Sequence, residues 1–106
     1  MPEAQAGVCL DGGVLKVWGA LDAQGVLMVR GQGESFIRSG SGPLTVDLAD
    51  SPDAHSAALS LFLCWQRCAQ SQHRPLHFIN VAESICSLAS LSGVHHFLSG
   101  FAGEGH

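Results

Sequence analysis

Within seven residues, Asp50-Ser51-Pro52-Asp53-Ala54-His55-Ser56, the chain gathers two carboxylates, two hydroxyls and an imidazole just ahead of a long apolar run. Proline suits a turn or an early helical position, and Asp or Ser suits a cap, so this loop reads as the entry to a helix. A helix start points unpaired backbone N–H groups outward. That serves capping alone, or equally the docking of a partner or a phosphoryl group. A serine placed there is within reach of a kinase, and the positive end of the helix dipole tolerates the added charge, which makes Ser56 the candidate for phosphorylation. His55 and Ser56 do not make a nucleophile with its base, because adjacent residues at a helix start point in different directions. No nucleophile-elbow pattern supports a triad drawn from elsewhere in the chain.

Cys64 and Cys68, four residues apart, could be joined with His95 and His96 into a zinc site. The histidine pair has no recognised ligand spacing, and the neighbours Leu61, Leu63 and Trp65 are core-like. The thiols therefore read as reduced packing residues and the histidines as surface residues of a last turn, with no metal expected. Gly31-Gln32-Gly33 lacks the preceding strand and third glycine of a dinucleotide fingerprint, and there is no Walker lysine. No cofactor is expected. The absence of a complete catalytic set points to a recognition module rather than an enzyme.

A chain of 106 residues is expected to form one domain, here residues 8–106 after a lead-in at 1–7. At 46% hydrophobic and 13% charged it can bury a core, and its charge content is about half the usual quarter. Such a surface is either coated with Ser, Gln, Gly and His or covered in part by a partner. The net charge is −4, with five scattered Lys and Arg (Lys16, Arg30, Arg38, Arg67 and Arg74) against nine Asp and Glu. Nucleic acid needs a cationic surface to displace counterions, and anionic lipid needs the same, so both are disfavoured. No apolar run reaches the roughly 18 residues of a membrane span, and the N-terminus carries no basic start or apolar core of signal-peptide length. The expected location is the cytosol.

Hydrophobic patterning predicts the elements that position the polar loop. Val8–Leu10 and Val14–Trp18 form a hairpin across Asp11-Gly12-Gly13, with Leu15 and Val17 on one face and Lys16 and Trp18 on the other. Asp22 caps a helix from Ala23 whose inward side is Val26, Val29, Gly33 and Ile37, ending at Ser39-Gly40-Ser41-Gly42. Gly25, Gly31 and Gly33 weaken that helix by about 1 kcal/mol each relative to alanine, or mark close packing. A buried strand at Leu44–Leu48 leads through the polar loop into a helix at 56–72 that His73-Arg74-Pro75 ends. A strand at 76–81 and a helix at 82–91 follow, the latter with Ile85, Leu88 and Leu91 inward and Gly93 closing it. Val94–Leu98 makes a final short turn. The fold class is α/β, a mixed four- to five-stranded sheet with helices packed on it.

Val46-Asp47-Leu48, the helix start His55-Ser56-Ala57-Ala58-Leu59 and the close Leu88-Ala89-Ser90-Leu91-Ser92-Gly93 together resemble a STAS domain. That family comprises anti-sigma-factor antagonists, transporter tails and the small cytosolic subunit of the phospholipid-trafficking (Mla) ABC transporter. Its hallmark is a strand ending Asp-Leu, a short loop, then Asp-Ser-Ser-Gly-Leu or Asp-Ser-Ala-Gly-Leu opening a long helix. Here His55 stands where the family usually has Asp, Ala58 replaces the glycine, and Ala57 takes the position of the phosphorylated serine of sigma-regulating members. Ser56 keeps the hydroxyl that transporter-associated members carry as Ser or Thr. The stretches Ala58–Trp65 and Phe78–Val94 look closer to the transporter subunit.

The resemblance implies a bacterial, non-enzymatic protein that binds and regulates the cytosolic ATPase of a phospholipid-transporting ABC complex. Asp50, Ser51, Asp53, His55, Ser56 and Ala57 would form the partner-binding edge, and the ATPase would hold the chain at the inner membrane. The alternative is an anti-sigma-factor antagonist whose Ser56 is phosphorylated by a partner kinase. Either reading leaves a homodimer open.

Overall fold

Asp11 and Val14 pair across Gly12 and Gly13, whose φ angles of +57° and +84° suit glycine. This two-residue turn closes the expected hairpin, β1 (Gly7–Asp11) antiparallel to β2 (Val14–Trp18). The computed structural model describes residues 6–51 and 56–93. Asp53, His55, the expected turn at 94–98 and both His95 and His96 lie outside them.

After β2 comes α1 (Ala23–Arg38), and the Asp22 carboxylate accepts the Gly25 N–H at 2.8 Å, the expected cap. Its buried row is Gly25, Val29, Gly33 and Ile37, one residue every four, while Val26 is half-buried beside it. The glycines that weaken this helix on propensity are there for close approach. A β-carbon at Gly33 would overlap the indole of Trp65, and one at Gly25 would overlap the Ala20 carbonyl.

The next strand, β3 (Leu44–Asp50), runs parallel to β2. It continues two residues past the expected end at Leu48, because Trp18 still pairs with Asp50 and the Gly19 N–H donates to the Asp50 carbonyl at 3.1 Å. It is followed by α2 (Ser56–Ser71), then β4 (Leu76–Ile79), parallel to β3. β4 stops short of the expected Val81, since Asn80 takes a left-handed backbone at φ +58°.

The last described element is α3 (Glu83–Ser92), closed by Gly93 at φ +75°. Leu91 was expected on its inward stripe and instead is 87% exposed. Residues three apart rotate by about 60° per step around a helix, so Ile85, Leu88 and Leu91 drift off the packed face. Ile85 and Ala89, four apart, are the buried pair, with Leu88 half-buried between them.

The four strands form one mixed sheet in the order β1-β2-β3-β4. Register puts Val8 beside Val17, Leu15 beside Val46, and Val46 beside Phe78, so the buried positions share one face. The helices cover that face, and Phe62 of α2 meets Phe78 with ring centroids 5.2 Å apart. The opposite face carries the exposed Cys9, Lys16, Trp18 and His77.

Candidate partner-binding site

Because β2 and β3 are parallel, the helices that follow them begin at the same end of the sheet. The tip of α2 therefore shares that end with the first turns of α1. Asp50, closing β3, and Ser56, opening α2, are exposed, and Ala57 is half-buried. Ala58 and Leu59 are buried, which anchors the tip to the core. Ser51 is only 1% exposed, and among the described residues its Oγ has no hydrogen-bond partner. The structure thus places Asp50, Ser56 and Ala57 at one end of the sheet, with Ser51 buried there.

The first turn of α2 contains no acidic residue, so its outward N–H groups meet no carboxylate from the helix itself. Of the two large apolar side chains that α1 exposes, Leu27 at 76% lies on the side of α1 nearer α2, and Met28 at 43% lies about 100° further round, toward β1. These did not enter the sequence reading. The signal was available: Leu27 lies two residues before the buried Val29, about 200° around the helix, so it must face outward.

Asp47, midway along β3, is fixed by two hydrogen bonds. Asn80 Nδ2 donates to it at 2.9 Å and the Ala49 N–H at 3.0 Å. Those bonds, the Asn80 one foremost, hold its carboxyl below the usual aspartate range, with a smaller pull from Lys16. The residue ties the middle of β3 to Asn80, just past the end of β4.

Among the described residues no cluster of three His, Cys, Asp or Glu could hold a metal ion, and no helix is long and apolar enough to cross a membrane. None of the four cysteines is in a disulfide. Cys68 is buried against α1, where burial pushes its thiol pKa up.

The chain is a mixed sheet with its helices on one face and a polar helix tip at the end of the parallel strands. The family model described as Mlab, STAS domain matches residues 9–99, and the chain belongs to the STAS domain family. The fold is similar to that of the anti-sigma factor antagonist SpoIIAA in its unphosphorylated form. The TM-score is 0.68 at 15% identity, covering 88% of this chain and 84% of that one. Among curated proteins none matches in sequence.

Proposed function

We propose that this chain is a non-enzymatic regulatory subunit that docks through the α2 tip onto the cytosolic ATPase of a phospholipid-transporting ABC complex. The observation that carries the reading is the composition of that tip. Ser56 is exposed, Ala57 has no hydroxyl where sigma-regulating members are phosphorylated, and the apolar Leu27 stands at the same end of the sheet. The likeness of residues 9–99 to the Mlab description supports the transporter side of the family. Exposed polar groups at the tip would set the orientation, and burial of Leu27 would supply affinity at roughly 25 cal/mol per Å2 before association costs.

The test is a tagged pull-down from native membranes. Wild-type protein is expected to retain an ATPase, and Ser56→Asp, His55→Glu or Leu27→Asp to lose it. If all three variants retain the ATPase as the wild type does, the docking assignment is wrong.

A second reading, an antagonist switched by phosphorylation of Ser56, is favoured by the acid-free first turn of α2 and by the fold likeness to SpoIIAA. Intact-mass measurement separates the two. A stoichiometric phosphate on Ser56 favours the switch, and an unmodified chain co-purifying with an ATPase favours the transporter.

A further inference from the structure

We propose that the outer edge of β1 is a self-association surface, on which the β1 of a second copy pairs antiparallel about a two-fold axis through Cys9. The tight turn fixes which backbone groups are free to do this. Asp11–Val14 is the closing pair of a two-residue hairpin, so it is hydrogen-bonded, and pairs then alternate along the strands. Asp11, Cys9 and Gly7 direct their N–H and C=O groups at β2, while Val8 and Leu10 direct theirs outward. The far side of β2 agrees. Thr45 N–H donates to the Gly13 carbonyl and Gly19 N–H to that of Asp50, so odd-numbered residues there serve β3 and even-numbered ones serve β1.

That phase is self-complementary. With the axis at Cys9, Val8 faces Leu10 of the second copy and Leu10 faces its Val8, and both pairs are in hydrogen-bonding phase. Val8 and Leu10 also share the helix-covered face, so each Leu10, now 40% exposed, gains an apolar cover. Cys9 meets its own counterpart as a non-hydrogen-bonded pair, in which Cα atoms stand about 4.5 Å apart, inside disulfide reach.

Among the described residues, nothing on the edge opposes such pairing. Among the described residues no strand pairs with β1 on its outer side. The strand carries no lysine, proline or register shift, the usual devices that block edge addition. Its one charge, Asp11, is already paired with Lys16 of its own hairpin at 3.6 Å and would face Gly7 of the second copy.

The flank is equally permissive. Trp65 and Cys68 of α2 donate to the carbonyls of Arg30 and Glu34, so the charged side of α1 (Arg30, Glu34) lies toward α2. The opposite side, toward β1, presents Met28, Gln32 and Ser35 and no charge. Two copies of α1 can approach across the axis without like-charge repulsion.

The decisive experiment is light scattering of the full chain at high micromolar concentration, with copper-phenanthroline cross-linking. In that reaction two thiols lose two electrons and two protons to dioxygen and form one disulfide. The expected result is twice the mass of the 11.1 kDa chain and a Cys9–Cys9 link. Cys9→Ser should lose the link and keep the doubled mass, while Leu10→Lys should return the mass to that of a single chain. Leu27→Lys, on the docking side, should leave it doubled. Leu10→Lys should also keep partner capture, so failure here is distinct from failure of the docking proposal. A wild-type mass of one chain, a link through another cysteine only, or a Leu10→Lys dimer each overturns the proposal. Should Leu10→Lys not fold, the wild-type mass and cross-link decide.

Discussion

The indole N–H of Trp65 donates to the carbonyl oxygen of Arg30 at 3.1 Å, and its ring lies against Gly33 one turn along α1. Trp65 is fully buried, so this bond satisfies a donor that would otherwise be stranded in the core. Gly33 is the slot that lets α2 come close enough to make it. The two helices that frame the candidate docking surface are thus set relative to one another by this bond, by the longer one from Cys68 to the Glu34 carbonyl, and by one missing methyl group.

Two glycine substitutions in α1 should therefore move stability in opposite directions. Gly31 has open space where a β-carbon would go, so Gly31→Ala should stabilise by about 0.5–1 kcal/mol through helix propensity. Gly33→Ala gains the same propensity but forces a methyl group into a rigid, buried ring. Overpacking of this kind costs about 3 kcal/mol, which leaves a net loss of about 2 kcal/mol. Urea denaturation read by tryptophan fluorescence measures both, and a stable Gly33→Ala would refute the slot.

Arg74 was one of five scattered cations in the sequence and is a buried structural group in the fold. It is 7% exposed, donates through Nε to the Gly42 carbonyl at 2.8 Å, and reaches the Phe36 and Ile37 carbonyls at the end of α1. A cation suits the negative end of a helix, and the planar guanidinium reaches three acceptors that an ammonium cannot span. Arg74→Met should cost about 3 kcal/mol and Arg74→Lys about 2 kcal/mol, while Arg67→Met, exposed on α2, should stay within about 0.5 kcal/mol. Thermal melts of the three variants test this order.

These cases mark what the residue pattern could and could not reveal. Alternation of Leu15 and Val17 with Lys16 and Trp18, the Gly12-Gly13 turn and the Asp22 cap are local signals, and each element they predict is present. The helix tip at Ser56 was legible for the same reason. Contacts made across the chain were not. Nothing in the neighbourhood of Arg74 says that Phe36 and Ile37 end a helix beside it, and nothing around Gly33 announces Trp65. Leu91 failed differently, since its spacing fits a helix face that α3 does not turn toward the core.

Asp47 supplies a test in pH. Its bond from Asn80, then that from Ala49, and then Lys16 lower its folded-state pKa below the unfolded value of about 3.9. A depressed carboxylate adds stability that is fully present above about pH 5 and lost as pH falls through the folded-state pKa. Asn80→Gly removes the main bond while accepting the left-handed backbone. The Asp47 carboxyl resonance should then titrate at higher pH. Stability at pH 7 should fall by a few tenths to about 1 kcal/mol, and the two proteins should draw closer near pH 2. An unchanged titration would show that Asn80 does not hold this carboxylate.

Thiol reactivity should follow burial. Cys9 lies exposed on β1, Cys64 is half-buried on α2, and Cys68 is buried between the helices, with its Sγ 3.9 Å from the Glu34 carbonyl. Only the thiolate attacks an alkylating or disulfide reagent, and burial raises the pKa of Cys68, so that site is slowed both by access and by its small thiolate fraction. Timed alkylation with peptide mapping should give Cys9 first and Cys64 later. Cys68 should react only at the rate at which α1 and α2 separate. Loosening that interface in Gly33→Ala should speed Cys68 at least tenfold, which corresponds to about 1.4 kcal/mol off the opening free energy, while leaving Cys9 unchanged. Equal rates for Cys9 and Cys68 in the native protein would mean that the two helices are not packed as the Trp65–Arg30 bond requires.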